Sequence, residues 1–162
     1  QMKAIVSILA IAVILAAGSG WFMDPVQRVA MTVELDGSPL AVYALVSDPQ
    51  QPWRTDLAQV LVHDSTRWTE LPARGDPIEF RRTDAEPGKR FAVAFSSRGF
   101  SGMWSGEFAP AGGARTRLTF TEQVTVPSPW LRPISRVFFG PEKAMQRYVA
   151  DLRRAAHTPR QR

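Results

Sequence analysis

The hydrophobic and polar positions in the first part of the chain predict a strand followed by short helices. Residues 26–35 alternate loosely between apolar and polar side chains, which is typical of a β-strand with one buried face. Ser38 and Pro39 combine an N-cap residue with a proline at the first helical position. The apolar spacing over residues 40–46 therefore predicts a short helix, and a second helical turn is predicted around residues 50–56.

The middle of the chain alternates repeatedly with a period of two. Each alternating segment is followed by a stretch rich in glycine, proline or charged residues, a pattern that indicates a turn. Six further strands are predicted, over residues 60–63, 66–71, 77–83, 89–97, 103–108 and 115–126, with loops that include residues 73–76, 86–88, 99–102 and 111–113. Such spacing indicates a meander of antiparallel hairpins.

Beyond Pro129 the apolar period becomes helical. One face is formed by Ile134, Val137, Phe138, Met145, Tyr148, Val149, Leu152 and Ala156. This pattern predicts a long C-terminal helix, kinked at Gly140-Pro141 because proline lacks an amide donor. Most basic residues fall on the other face, namely Arg132, Arg136, Lys143, Arg147 and Arg154. That basic stripe indicates a solvated helix face, with contact to anionic lipid headgroups as the functional alternative.

The N-terminal residues 1–23 form a segment distinct from the domain predicted over residues 24–162. Lys3 precedes an apolar run over residues 4–17 that has no polar face, and the run reaches the ~20 residues of a membrane span when extended to Met23. An uncleaved membrane anchor is the preferred interpretation. The positive charge of Lys3 favours the cytoplasmic side for the N-terminus, so the domain is expected on the outer, periplasmic side of the cytoplasmic membrane. A cleaved signal peptide followed by secretion and a buried helix are the alternatives.

Composition excludes several classes of function. The 162 residues carry a formal charge of +5, two histidines and no cysteine, so a disulfide framework, a thiolate metal site and a cysteine nucleophile are ruled out. The sequence contains no phosphate-binding glycine loop, no dinucleotide fingerprint and no paired zinc or calcium spacing. We therefore expect no metal or cofactor. Basic charge permits nucleic acid as a partner, but no motif supports it and none is expected.

Four stretches in this order resemble the SRPBCC superfamily, which contains START lipid-transfer domains, birch-pollen-allergen-like proteins and polyketide cyclase/dehydrase-like proteins. They are residues 39–48 with Trp53 after them, residues 102–108, residues 116–122 and residues 129–153. The resemblance implies an α+β helix-grip fold. In it a curved antiparallel sheet of about seven strands wraps around a long C-terminal helix, with two short helices after the first strand.

The same resemblance implies a cavity between sheet and helix that holds an apolar ligand. Strand parity places Leu118, Phe120 and Glu122 on one face, so a carboxylate is expected among apolar side chains. Glu122 either acts there as an acid, a base or a polar anchor, or it pairs with Arg82 or caps the backbone near the cavity rim. The candidate ligand-binding residues are Tyr43, Trp53, Phe80, Arg82, Phe91, Val93, Phe95, Trp104, Phe108, Leu118, Phe120, Glu122, Phe138, Met145 and Tyr148.

These expectations favour a membrane-associated, non-enzymatic binder or carrier of a lipid-like or other hydrophobic small molecule. One alternative is a cyclase/dehydrase-like enzyme in which Glu122 is the acid or base and Arg82 or Tyr43 polarises a carbonyl. The other is an envelope module that uses the outside of the fold to bind proteins. The sequence indicates neither the identity of the ligand nor an oligomeric state.

Overall fold

The computed structural model describes residues 18–138 and 141–157, without the side chains of residues 136–138 and 141. Ten elements follow one another as β1 Val26–Asp36, α1 Pro39–Ser47, β2 Leu57–Val62, β3 Arg67–Pro72, β4 Ile78–Glu86, β5 Arg90–Ser97, β6 Phe100–Pro110, β7 Arg115–Thr125, α2 Leu131–Phe138 and α3 Pro141–His157. The hydrophobic helix predicted over residues 4–17 lies outside the described residues.

All seven strands form one curved antiparallel sheet in the order β1-β7-β6-β5-β4-β3-β2. Strands β2 to β7 follow the chain as a meander, and β1 pairs with β7 along its whole length. The predicted meander of hairpins is thereby confirmed. It arises because each alternating strand can bury only one face, and the short turns allow only antiparallel neighbours.

The turn between β5 and β6 is tighter than the sequence suggests. Ser97 pairs directly with Phe100, so Arg98 and Gly99 alone form the turn. Gly99 has φ +87°, a backbone conformation that residues other than glycine rarely adopt. The predicted loop over residues 99–102 is therefore wrong in all but its first residue, because β6 begins at Phe100.

Helix α1 begins and ends as predicted. The Ser38 hydroxyl accepts a hydrogen bond from the Ala41 amide at 3.3 Å, and Pro39 occupies the first turn. The second short helix predicted over residues 50–56 is wrong, because this segment consists of turns. Pro52 lacks an amide hydrogen, and Gln51 adopts φ +36°, which interrupts the helical backbone.

The C-terminal part of the chain contains α2 and α3, and the kink predicted at Gly140-Pro141 involves residues 139–140, which lie outside the described residues. Helix α3 packs against β1 and α1. Buried apolar side chains lie between these elements and the concave face of the sheet, among them Leu35, Val42, Val46, Leu118, Phe120, Met145, Val149 and Leu152. This arrangement is consistent with the helix-grip fold.

Arg132 differs from the solvated basic face that the sequence predicts. Its guanidinium is partly buried and donates hydrogen bonds to the carbonyl oxygens of Gly20, Met23, Val126 and Pro127 at 2.8–3.2 Å. Arg132 therefore holds the beginning of the domain against the start of α2. Lys143, Arg147 and Arg154 are exposed, as a solvated face requires.

Within residues 18–138 and 141–157, no helix is long and apolar enough to cross a membrane.

Candidate functional site

One transverse row of the concave face brings the predicted polar residues into register. Val29 of β1 pairs with Glu122 of β7, which pairs with Trp104 of β6. Trp104 pairs with Val93 of β5, and Val93 pairs with Arg82 of β4. Because residues paired directly across a sheet share a face, all five side chains belong to the concave face. The inward parity predicted for Glu122 agrees with this register.

Aromatic rings surround the Glu122 end of this row. The ring of Tyr148, from α3, lies 5.2 Å from that of Trp53 and 6.3 Å from those of Trp104 and Phe120, measured between centroids. The Trp104 and Phe120 rings are 5.7 Å apart. Trp53 is held in place because its indole NH donates to the Leu45 carbonyl at 3.1 Å. Helix α3, the loop after α1 and the sheet together form this aromatic cluster.

Glu122 has no compensating partner in the described part of the chain. No hydrogen bond or ion pair to its carboxyl group occurs there, and the side chain is partly buried. Burial raises the pKa of Glu122 to about 7, and the more distant positive charge of Arg54 only partly opposes this. The alternative in which Glu122 pairs with Arg82 is wrong, because Trp104 and Val93 lie between them in the row.

A buried polar network lies beside the aromatic cluster, and sequence reasoning missed it. Arg54 donates to Glu70 at 2.8 Å, to the Gln51 side-chain oxygen at 3.1 Å, and to both oxygens of Asp56 at 2.7 and 3.0 Å. Glu70 is only 2% exposed and also accepts from the Trp68 indole. Glu70 shares the parity of Trp68 in β3, which was a usable signal. Arg54 lies in a loop, where no periodicity marks it.

The protonation states in this network follow from its geometry. Burial lowers the pKa of Arg54, but the hydrogen bond to Asp56 and the charges of Glu70 and Asp56 outweigh it, so the net shift is upward. Burial raises the pKa of Glu70 despite its contact with Arg54. Burial also raises the pKa of Tyr148 above its ordinary range. Tyr148 therefore stays a neutral hydroxyl, and the Arg54 guanidinium lies 5.8 Å from the centre of its ring.

The loop that carries Trp53 and Arg54 is fixed to α3 through Asp151. This carboxylate is 3% exposed and accepts hydrogen bonds from the Thr55 amide at 2.9 Å and the Thr55 hydroxyl at 2.8 Å. Burial disfavours the charged form, but these hydrogen bonds and Arg154 outweigh it and lower the pKa of Asp151. The two sides of the aromatic cluster, loop and helix, are thus joined by a charged hydrogen-bond acceptor.

A glycine leaves room for the central aromatic side chain of the row. A Cβ at Gly106 would lie 2.6 Å from the Trp104 ring and 3.1 Å from Leu118. The Trp104 indole therefore leans along its own strand into space that any other residue would fill. The Trp104 ring thereby lies 6.4 Å from the ring of Phe91, which is the β5 partner of Gly106.

The structure separates the predicted ligand-binding residues into two groups. Eight are buried core residues: Tyr43, Phe91, Val93, Phe95, Phe108, Leu118, Phe120 and Met145. Six are only partly buried: Trp53, Phe80, Arg82, Trp104, Glu122 and Tyr148. The side chain of Phe138 lies outside the described residues. Ligand contact stays a prediction for all of them, and the second group offers surface that a bound molecule can cover.

The site has an apolar surface with few polar groups. A molecule lying on Trp104 and Tyr148 would meet one carboxyl group, one hydroxyl and, further along the row, one guanidinium. In the part of the chain that the structure describes, no group of three histidine, aspartate or glutamate residues could hold a metal ion. The arrangement suits binding of an apolar molecule, and it places one titratable acid against that molecule.

Residues 26–157 match the family model described as polyketide cyclase / dehydrase and lipid transport. The chain belongs to this family. The match covers most of the sequence and includes every strand, so the resemblance to the SRPBCC and START superfamily is confirmed. The description of the family names polyketide cyclase, dehydrase and lipid transport. Its members generally bind hydrophobic small molecules.

Solved structures agree on the fold. A START superfamily protein from Mycobacterium smegmatis is 15% identical, with a TM-score of 0.67 over 80% of this chain and 96% of that chain. The Zhui aromatase/cyclase from Streptomyces sp. R1128 is 13% identical, with a TM-score of 0.67 over 81% and 93%. A conserved protein from Geobacillus kaustophilus is 13% identical, with a TM-score of 0.69 over 80% and 95%. Comparison with curated proteins found no significant match.

Proposed function

We propose that this protein binds or carries a hydrophobic, lipid-like small molecule on its concave face and does so at a membrane surface. The observation that carries the proposal is the partly buried row through Trp104, flanked by aromatic rings and by an unpartnered Glu122. A molecule that covers these rings gains about 25 cal/mol for each Å² of apolar surface removed from water. The lipid transport named in the description of the matching family supports this class of ligand.

An exposed apolar patch supports the membrane part of the proposal. Trp21, Phe22 and Trp130 are 64%, 95% and 56% exposed, and Leu131 and Ile134 are exposed as well. Arg132 binds the carbonyls of Gly20 and Met23, so the two halves of the patch are held together. Tryptophan is enriched where proteins meet the membrane–water interface.

The N-terminal sequence leads directly into this patch. The apolar run over residues 4–17 ends just before Trp21, and anchoring by that segment would hold the patch at the bilayer. A Cβ added to Gly99 at the β5–β6 turn would lie 3.2 Å from Leu131, so the patch lies next to one end of the concave face. We propose that ligand passes between bilayer and concave face there. Because Lys3 before the apolar run favours the cytoplasmic side, the same proposal puts the domain on the outer side of the cytoplasmic membrane.

Photo-crosslinking of the full chain in phosphatidylcholine vesicles tests the ligand proposal. The probe is hexadecanol with a photoreactive diazirine in mid-chain. We expect adducts on peptides that contain Trp104 and Tyr148, with competition by unlabelled hexadecanol. Val29→Trp adds an indole directly opposite Glu122 and is expected to lower that adduct yield severalfold.

The neighbouring residue provides a matched control. Ala30 is exposed on the opposite face of β1, so Ala30→Trp adds the same side chain outside the concave face and is expected to leave the yield unchanged. Adducts confined to the patch or to residues 1–17 would count against a binding role for the concave face.

Single cysteines test the membrane proposal, since the chain has none of its own. Phe22→Cys, Trp130→Cys and Ile134→Cys are each labelled with an environment-sensitive nitrobenzoxadiazole dye, and the full chain is placed in phosphatidylglycerol-containing vesicles. The reference is the same labelled chain kept in solution by an amphipathic polymer without lipid. We expect the dye to emit at a shorter wavelength in vesicles than in this reference, because the membrane is an apolar medium. Met103→Cys is the control, as Met103 is 53% exposed on the other face of β6.

The outcomes of this labelling distinguish the membrane from a protein partner. A shift that depends on protein concentration rather than on lipid would instead indicate a second copy or an envelope protein on the patch. An equal response at all four positions would contradict membrane contact by the patch.

An enzyme is the second candidate, and one observation favours it. Burial raises the pKa of Glu122 to about 7, which is close to the value that suits a general acid or base at neutral pH. The Tyr148 hydroxyl, from the neighbouring ring, could donate a hydrogen bond to a carbonyl oxygen. The Zhui aromatase/cyclase has this fold, but at 13% identity it supports the fold alone.

A further inference from the structure

Arg82 is the one residue of the described chain with a buried side-chain nitrogen or oxygen that lacks a hydrogen-bond partner, and the atom is its Nε. No carboxylate within residues 18–138 or 141–157 forms an ion pair with its guanidinium. By contrast, Arg54 is surrounded by Glu70, Asp56 and Gln51. Leaving a buried donor unpaired costs about 1–3 kcal/mol, and more for a charged group. This unmet donor is available to an acceptor that lies outside the described residues.

The position of Arg82 fixes where that acceptor would lie. Its guanidinium carbon is 5.8 Å from the centre of the Phe91 ring, and Phe91 faces the concave side with Trp104. The pairing of β4 with β5 is irregular immediately after Arg82, between Arg82 and Asp84. A bulge of this kind bends a strand and re-aims its side chains. Arg82 therefore offers its free donors at the β4 edge of the proposed ligand surface.

The distance between Arg82 and Glu122 indicates the shape of the ligand. They occupy the same transverse row and are separated by three strand spacings, or about 14 Å at the usual ~4.8 Å per strand. Between them lie Val93 and the ring of Trp104. A ligand that spans this row has an apolar body with one end at the guanidinium. Arginine pairs best with planar anions that accept two hydrogen bonds, of which carboxylate is the simplest.

We propose that Arg82 binds the carboxylate of an amphipathic acid whose apolar body lies across Trp104 towards Glu122. This inference rests on the proposed function, and it names the class of ligand: a long-chain or aromatic carboxylic acid in preference to a neutral lipid. Arg82 binds the ligand and takes part in no bond-making step.

Paired photoreactive probes test this assignment on the full chain in phosphatidylcholine vesicles. One probe is diazirine-bearing hexadecanoic acid at alkaline pH, and the other is the matching hexadecanol. We expect the acid to label the Trp104 peptide in preference to the alcohol, by on the order of tenfold in half-maximal concentration, as one charge-assisted contact allows. Arg82→Gln is expected to abolish this preference while leaving labelling by the alcohol intact.

Two further variants make the result specific to Arg82. Arg81 is exposed on the opposite face of β4, so Arg81→Gln removes the same charge and should keep the full preference. Arg82→Lys retains the charge but not the planar pair of donors, and should keep only part of it. Equal labelling by acid and alcohol in the unaltered chain would overturn the inference, as would an unchanged preference in Arg82→Gln. Absence of labelling on the concave face by either probe would instead remove the proposed function itself.

Discussion

Replacing Arg54 with methionine is expected to lower the free energy of unfolding by about 3–5 kcal/mol, the usual cost of removing one partner from a buried ion pair. The substitution leaves Glu70, which is 2% exposed, with only the Trp68 indole as a hydrogen-bond partner. It also removes the hydrogen bonds that the side-chain oxygens of Asp56 and Gln51 accept from Arg54. The loss is measured by urea denaturation. It should be accompanied by loosening of the loop that carries Trp53.

A matched control and a second variant identify the cause of that loss. Arg67 forms an exposed ion pair with Asp64, so Arg67→Met should change stability by no more than about 1 kcal/mol. Adding Glu70→Gln to Arg54→Met should recover part of the stability, because no buried carboxylate is then left uncompensated. If the double variant were less stable than Arg54→Met alone, the charge of Glu70 would not be the source of the cost.

Replacing Glu122 with glutamine is expected to stabilise the protein above neutral pH and to change it little in acid. The folded protein raises the pKa of this carboxyl from 4.5 to about 7, so folding favours the protonated form. The stability contributed by that form is complete below the unfolded pKa and is lost as pH rises through about 7. Glutamine resembles the protonated acid at every pH. The variant should therefore gain about 1–3 kcal/mol near pH 8 relative to the unaltered chain.

Denaturation below the unfolded pKa of 4.5 and at mildly alkaline pH measures this difference. Glu107 lies exposed on the outward face of β6, and Glu107→Gln is expected to shift stability by less than about 0.5 kcal/mol at either pH. A constant difference between Glu122→Gln and the unaltered chain at both values would contradict a buried, unpartnered acid. A gain confined to acid would do the same.

The same variant separates the binder from the enzyme. If Glu122 acts only as a polar contact, the Glu122→Gln variant should still bind hydrophobic probes on the concave face. Its affinity for them should change by no more than the loss of one hydrogen bond allows. If Glu122 is a general acid or base, ligand binding should persist while turnover of a carbonyl substrate falls by a factor of about 10²–10⁴. Loss of binding together with turnover would support neither a catalytic nor a passive role.

Strand parity could be predicted because it follows from local geometry. In an extended chain successive side chains point to opposite faces, so Leu118, Phe120 and Glu122 had to share one. The turns and the start of α1 could be predicted for the same reason, because Ser38 and Pro39 influence only the backbone of residues close to them in sequence. Where the prediction was wrong, over residues 50–56, a positive φ at Gln51 and side-chain hydrogen bonds from distant residues set the backbone.

The sequence by itself determined the seven strands, the face on which Glu122 and Arg82 lie, and the resemblance that the family match confirms. Only the tertiary structure decided which polar groups are paired. Arg54 binds Glu70 sixteen positions along the chain and Asp151 binds Thr55 across ninety-six, whereas neither the Glu122 carboxyl group nor the Arg82 Nε has a hydrogen-bond partner among the described residues. Pairing depends on distances between elements that are far apart in sequence. The hydrophobic period and the intrinsic propensities of a sequence describe only residues that are close together along the chain. The polar groups that the tertiary structure leaves unpaired define the candidate site.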